Sequence, residues 1–69
     1  MTYYVEFRNP NDAKYICDLM KSHYRRHNSD LITKVKMNGN KLILDDIVIH
    51  DFEMIANAKC HRRFKIQKD

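Results

Sequence analysis

The stretch Val35-Lys36-Met37-Asn38-Gly39-Asn40-Lys41-Leu42-Ile43-Leu44 decides the fold. An Asn-Gly pair between two alternating runs is the strongest short-range signal for a β-hairpin. The tight turns that match strand twist need positive φ, which Asn and Gly tolerate. With Asn38 and Gly39 as the loop, Lys36 is expected opposite Lys41, Val35 opposite Leu42, Lys34 opposite Ile43 and Thr33 opposite Leu44. Strands are therefore expected over Leu31–Met37 and Lys41–Asp45, with one face of the hairpin apolar and the other basic.

Working back toward the N-terminus, Asn28-Ser29-Asp30 is turn material, and an amphipathic segment precedes it. Ala13, Ile16, Cys17, Met20 and Tyr24, with His27 at the margin, recur at the three-and-four spacing of a core-facing helix, while Lys14, Asp18, Lys21, Ser22, Arg25 and Arg26 fall on the other side. Asn9 stands at the N-cap position, Pro10 at the first helical position and Asp12 three residues after the cap, so capping and dipole terms agree on a helix from Pro10 to about His27. Before it, Tyr3, Val5 and Phe7 alternate with Thr2, Tyr4 and Glu6, the period of a half-buried strand over residues 2–8.

Beyond the hairpin, Asp45-Asp46 has the look of a turn or bulge while Ile47-Val48-Ile49 favours continued strand, and the stretch Asp45–Ile49 is expected as an extended segment leading into a helix. A second helix is expected from about Asp51 to Cys60, with Phe52, Ile55, Ala56 and Lys59 on one face. Phe64 and Ile66 then alternate with Arg63, Lys65 and Gln67 as a final strand, in competition with helix continued to about Lys65.

The order strand, helix, strand, strand, helix, strand defines an α+β domain over residues 1–69 with the split βαβ, or ferredoxin-like, arrangement; a five-element version lacking the last strand is the alternative. In it, Tyr3, Val5, Phe7, Leu31, Thr33, Val35, Leu42 and Leu44 form the inner sheet face against Ile16, Met20, Phe52 and Ile55. The outer face is expected to show Tyr4, Glu6, Ile32, Lys34, Lys36, Lys41, Ile43, Arg63 and Lys65.

Composition narrows the function classes. Thirteen Lys and Arg against nine Asp and Glu give a net charge of +4 in 69 residues, with basic crowding at Arg25-Arg26 and from Lys59 to Lys68. Such patches steer anionic partners. The longest apolar runs, three residues as in Ile47-Val48-Ile49, are far short of the roughly 20 residues of a membrane-spanning helix. Met1 to Phe7 alternates and carries an acid, unlike a secretory signal. A soluble, cytoplasmic protein follows, with Cys17 and Cys60 as reduced thiols. The lysine- and asparagine-rich composition is of the kind found in compact accessory proteins of phages and mobile elements, but no motif matches a known family.

No catalytic constellation is present. Cys60-His61 are neighbours in sequence, which does not align a nucleophile with its base, and neighbouring Asp45-Asp46 in an extended segment point to opposite faces. His23 and His27 share a helix face and could take zinc only with further ligands such as Cys60 or His61; no CxxC or acidic base accompanies them, so no metal and no cofactor is expected. Two binding functions remain. The first is a non-enzymatic regulator or inhibitor that contacts a protein through the open sheet face, with Tyr4, Ile32, Lys34, Lys36, Lys41 and Ile43 as contact residues, or through an edge strand. The second is a nucleic-acid-binding module in which Lys34, Lys36, Lys41, Arg25, Arg26, Arg62, Arg63 and Lys65 contact phosphates. Pairing of exposed edges into a homodimer is a third mode of contact.

Overall fold

The computed structural model describes residues 1–60 and 64–68. Strand β1 (Thr2–Glu6) leads into helix α1 (Pro10–His27), a 3₁₀ segment (Ser29–Lys34), the hairpin strands β2 (Val35–Asn38) and β3 (Lys41–Asp45), a 3₁₀ turn (Asp46–Val48), helix α2 (Ile49–Cys60) and strand β4 (Gln67–Lys68). The four strands form an antiparallel sheet in the order β2-β3-β1-β4. Two split βαβ halves give that order, with β1 and β3 central and β2 and β4 at the edges, as the ferredoxin-like reading expects.

Helix α1 follows its local code closely. The Asn9 side chain accepts a hydrogen bond from the Asp12 N–H at 3.0 Å, Pro10 occupies the first turn, and Arg25, Arg26 and His27 sit in the last. Its buried residues are Ala13, Ile16, Cys17, Met20 and Tyr24, the expected stripe, while His27 is exposed. These pack with Val5, Phe7, Val35, Leu42 and Leu44 of the sheet and Val48, Phe52 and Ala56 of the second half into one core. Tyr24 reaches through that core to α2, where its hydroxyl donates to Asp51 Oδ2 at 2.8 Å. Burial first, then the hydrogen bond and charge of Asp51, push the Tyr24 phenol well above the usual tyrosine range.

The structure corrects the sequence reading in three segments. Residues 31–34, expected as the start of a strand, belong instead to the 3₁₀ helix Ser29–Lys34. Strict alternation would put Leu31 inward and Ile32 outward, whereas one tight turn lets both adjacent side chains pack on the core, half-buried, and leaves Thr33 exposed. The hairpin loop is Gly39-Asn40 rather than Asn38-Gly39, because Asn38 pairs with Lys41. Gly39 supplies the positive φ of 62°, and Asn40 is held to the end of β1: its side-chain amide donates to the Phe7 carbonyl at 2.8 Å and its own carbonyl accepts from the Phe7 N–H at 2.9 Å. Val35 now faces Leu44 and Lys36 faces Ile43, a shift of two residues that leaves every side chain on its expected face. Finally, Asp46–Val48 forms a 3₁₀ turn rather than extended chain, capped by the Asp45 carboxylate, which accepts from the Ile47 N–H at 3.3 Å. That turn drives Val48 into the core and starts α2 at Ile49, two residues before the expected Asp51.

At the C-terminal end, Phe64 stacks against Phe7 and Phe52 at centroid distances of 4.9 and 5.9 Å, and β4 pairs with β1 through Gln67 opposite Tyr4 and Lys68 opposite Tyr3. The final strand therefore forms, two residues long and later than expected. Arg62 and Arg63, and with them the alternative of a continued helix through residues 61–63, lie outside the described residues.

Candidate functional site: the open face of the sheet

Both helices contribute to the core on one side of the sheet, so alternate residues of the strands face the other way. Along the central cross-strand row, Lys36 lies opposite Ile43, Ile43 opposite Tyr4, and Tyr4 opposite Gln67. The adjoining rows pair Glu6 with Lys41 and Thr2 with Asp45. Tyr4 and Ile43 are half-buried, Lys36 and Glu6 exposed. The Lys41 ammonium sits 5.0 Å from the centre of the Tyr4 ring, a cation–π contact across strands, and the Tyr4 hydroxyl donates to Gln67 Oε1 at 3.3 Å. Around a two-residue apolar centre, then, this face carries ammonium groups and carboxylates together.

Next to it, Thr2, Thr33, Lys34, Lys36, Ile43 and Asp45 line a shallow hollow of about 160 Å³. The Asp45 carboxyl here is held below the usual carboxylate range, first by hydrogen bonding with Asp46 and then by the Ile47 N–H, with Lys34 and the N-terminus contributing.

Of the residues expected to contact a partner, the structure brings Tyr4, Lys36, Lys41 and Ile43 onto one face and sets Lys34 at its margin. Ile32 is not among them; it packs against the core from the 3₁₀ segment. The residues expected to contact phosphates divide. Lys34, Lys36 and Lys41 are on the sheet side, Arg25 and Arg26 in the last turn of α1 in the helical layer, and Lys65 is exposed in the irregular chain before β4. Arg62 and Arg63 lie outside the described residues.

Compared with known families, curated proteins and solved structures, the chain matches none of them. The geometry of the sites thus carries the functional reading.

The remaining chemistry-bearing residues do not assemble. His23 and His27 lie side by side, ring centroids 4.7 Å apart, and among the described residues no group of three or more His, Cys, Asp or Glu could hold a metal ion. His61 and the Cys60 side chain, the other ligands a zinc site would need, lie outside what is described. Cys17 is buried and unbridged, its thiol pushed up chiefly by burial, the opposite of an activated nucleophile. No described helix is long and apolar enough to cross a membrane. Sequence reasoning placed Lys59 on α2's apolar face and in the basic crowding toward Lys68 but not beside α1; it is exposed and lines a cleft between the helices with His23, Arg26 and His27. The Ile55–Lys59 and Leu19–His23 spacings put each pair on one face of its own helix, and the packing of α1 on α2 brings those faces to one cleft.

Proposed function

We propose that the chain is a non-enzymatic protein-binding module, a regulator or inhibitor acting in the cytoplasm, that docks its partner on the helix-free face of the sheet. The observation that carries this reading is the side-by-side placement of Tyr4 and Ile43 on the two central strands, with Lys36, Lys41, Glu6 and Asp45 around them. A half-buried aromatic and an aliphatic side chain give a partner's apolar group a place from which water is already partly excluded, and a charged rim of both signs orients the approach. The rigidity of the support helps: β1 and β3 pair over five residues, so docking here orders little that is not already ordered.

The nucleic-acid reading is weaker on this face for two reasons. Base stacking on a sheet uses two or three aromatic side chains, and among the described residues of this face Tyr4 is the one aromatic. Phosphate binding needs a one-sided field, and Glu6 and Asp45 share the surface with the lysines.

Affinity capture from lysate of the cells that make the protein, with wild type and Ile43→Asp in parallel and with and without nuclease, tests the proposal. One protein should be retained whether or not nuclease is added. It should be lost with Ile43→Asp, whose hot-spot cost of about 2 kcal/mol corresponds to roughly thirtyfold in affinity. Capture that disappears after nuclease treatment and weakens steeply with salt overturns it in favour of nucleic acid.

A further inference from the structure

A second concave surface lies in the helical layer. The cleft between α1 and α2 has a volume of about 350 Å³, inside the roughly 300–1,000 Å³ of small-molecule sites. Leu19 of α1 and Ile55 of α2, both half-buried, form its apolar wall. Ser22, His23, Arg26 and His27 from the last turns of α1 and Lys59 from α2 supply its polar rim. The contact between the two imidazoles keeps both on the same wall. Among the described residues no carboxylate lines the cleft, although the chain has nine, and neither Arg26 nor Lys59 takes part in a salt bridge.

Cations at the end of α1 also meet the negative end of its dipole. That accounts for where Arg26 and His27 stand along α1. Lys59 stands likewise in the last turn of α2, where the same attraction applies; the dipoles do not account for side chains of both helices reaching one hollow, or for the lack of acids among the lining residues.

We infer that this cleft binds a phosphate monoester carried on an apolar body. The Arg26 guanidinium offers a planar fork that matches two phosphate oxygens, and Lys59 offers a point charge from the opposite wall. Imidazole N–H groups and the Ser22 hydroxyl are further donors for the third oxygen, and the organic part lies against Leu19 and Ile55. The cleft shares no residue with the sheet face, so it stands or falls independently of the docking surface proposed above.

The test is an NMR titration of the ¹⁵N-labelled protein with phenyl phosphate, inorganic phosphate and phenol. Phenyl phosphate should saturate the protein, with shifts at His23, Arg26, His27 and Lys59, and bind about tenfold tighter than inorganic phosphate; phenol should cause no saturable shift. Arg26→Ala combined with Lys59→Ala should weaken phenyl phosphate at least tenfold without moving the thermal midpoint by more than about 5 °C, because both side chains are exposed. Ile43→Asp should leave the titration unchanged. Absence of saturation, equal affinity for the two phosphates, full binding in the double variant, or shifts centred on Lys36 and Lys41 would each overturn the inference.

Discussion

The two faces of the sheet are built from the same strands and obey opposite rules. On one, Val5, Leu42 and Leu44 are fully buried and Val35 is 1% exposed, all packed under two helices. On the other, one residue along in each strand, Tyr4 and Ile43 are half-buried and Lys36 exposed, with Lys41 and Gln67 beside Tyr4. The period-two alternation of a strand separates the residues that hold the molecule together from those free to serve binding. Substitutions on the two faces should therefore separate stability from affinity.

The largest effect is expected from Leu42→Ala, which removes a fully buried side chain at the centre of the sheet and should cost about 3 kcal/mol in chemical denaturation. Its neighbour Ile43→Ala should cost well under half of that. Equal costs would mean that the two faces are not distinct.

Next comes the tie that joins the halves beneath the sheet. Tyr24→Phe leaves the ring in place but removes the hydroxyl that Asp51 accepts from, at a cost of about 1–2 kcal/mol. The phenol is raised in the folded state, so its share of stability is fully present below the ordinary tyrosine range near pH 10. It should be lost as pH climbs through the higher folded value. Wild type should thus lose stability above about pH 10 more steeply than Tyr24→Phe; parallel pH–stability curves would contradict the burial of the phenol and its bond to Asp51.

Smaller again is Asn9→Ala, which removes the cap that Asp12 N–H donates to and should lower stability by about 1 kcal/mol. Smallest is Lys36→Ala, an exposed position on the open face, expected within about 0.5 kcal/mol of wild type in stability.

Where local chemistry and tertiary packing agree, the structure follows the sequence closely. The start and end of α1, its buried stripe and the bounds of β3 were all legible, because Asn9-Pro10 and the spacing from Ala13 to Tyr24 leave the backbone one good choice. Residues 31–34 and 46–48 depart from the extended chain their sequence suggests, because β-branched and aliphatic runs such as Ile47-Val48-Ile49 favour strands on propensity alone. What overrides that preference is non-local: two adjacent side chains, Leu31 and Ile32, both reaching the core, and Val48 turned into it. The hairpin slipped by two residues for a similar reason, the bonds between Asn40 and Phe7 across 33 positions of chain. An even slip leaves every side chain on its face, so Tyr4, Lys36, Lys41 and Ile43 were recoverable as a group while Ile32, outside the strand, was not. The cleft with Lys59 depends on how two helices lie against each other, which periodicity within one helix does not encode.

Side-chain footprinting of the protein with its captured partner asks most directly which surface does the binding. Tyr4 and Ile43 report on the open face, and Tyr15 and Met54, 52% and 58% exposed on α1 and α2, serve as internal controls on the helical layer. Protection of Tyr4 and Ile43, with Tyr15 and Met54 as reactive as in the free protein, is the expected result. Protection of Tyr15 and Met54 with Tyr4 and Ile43 unchanged would place the partner on the helices and contradict it.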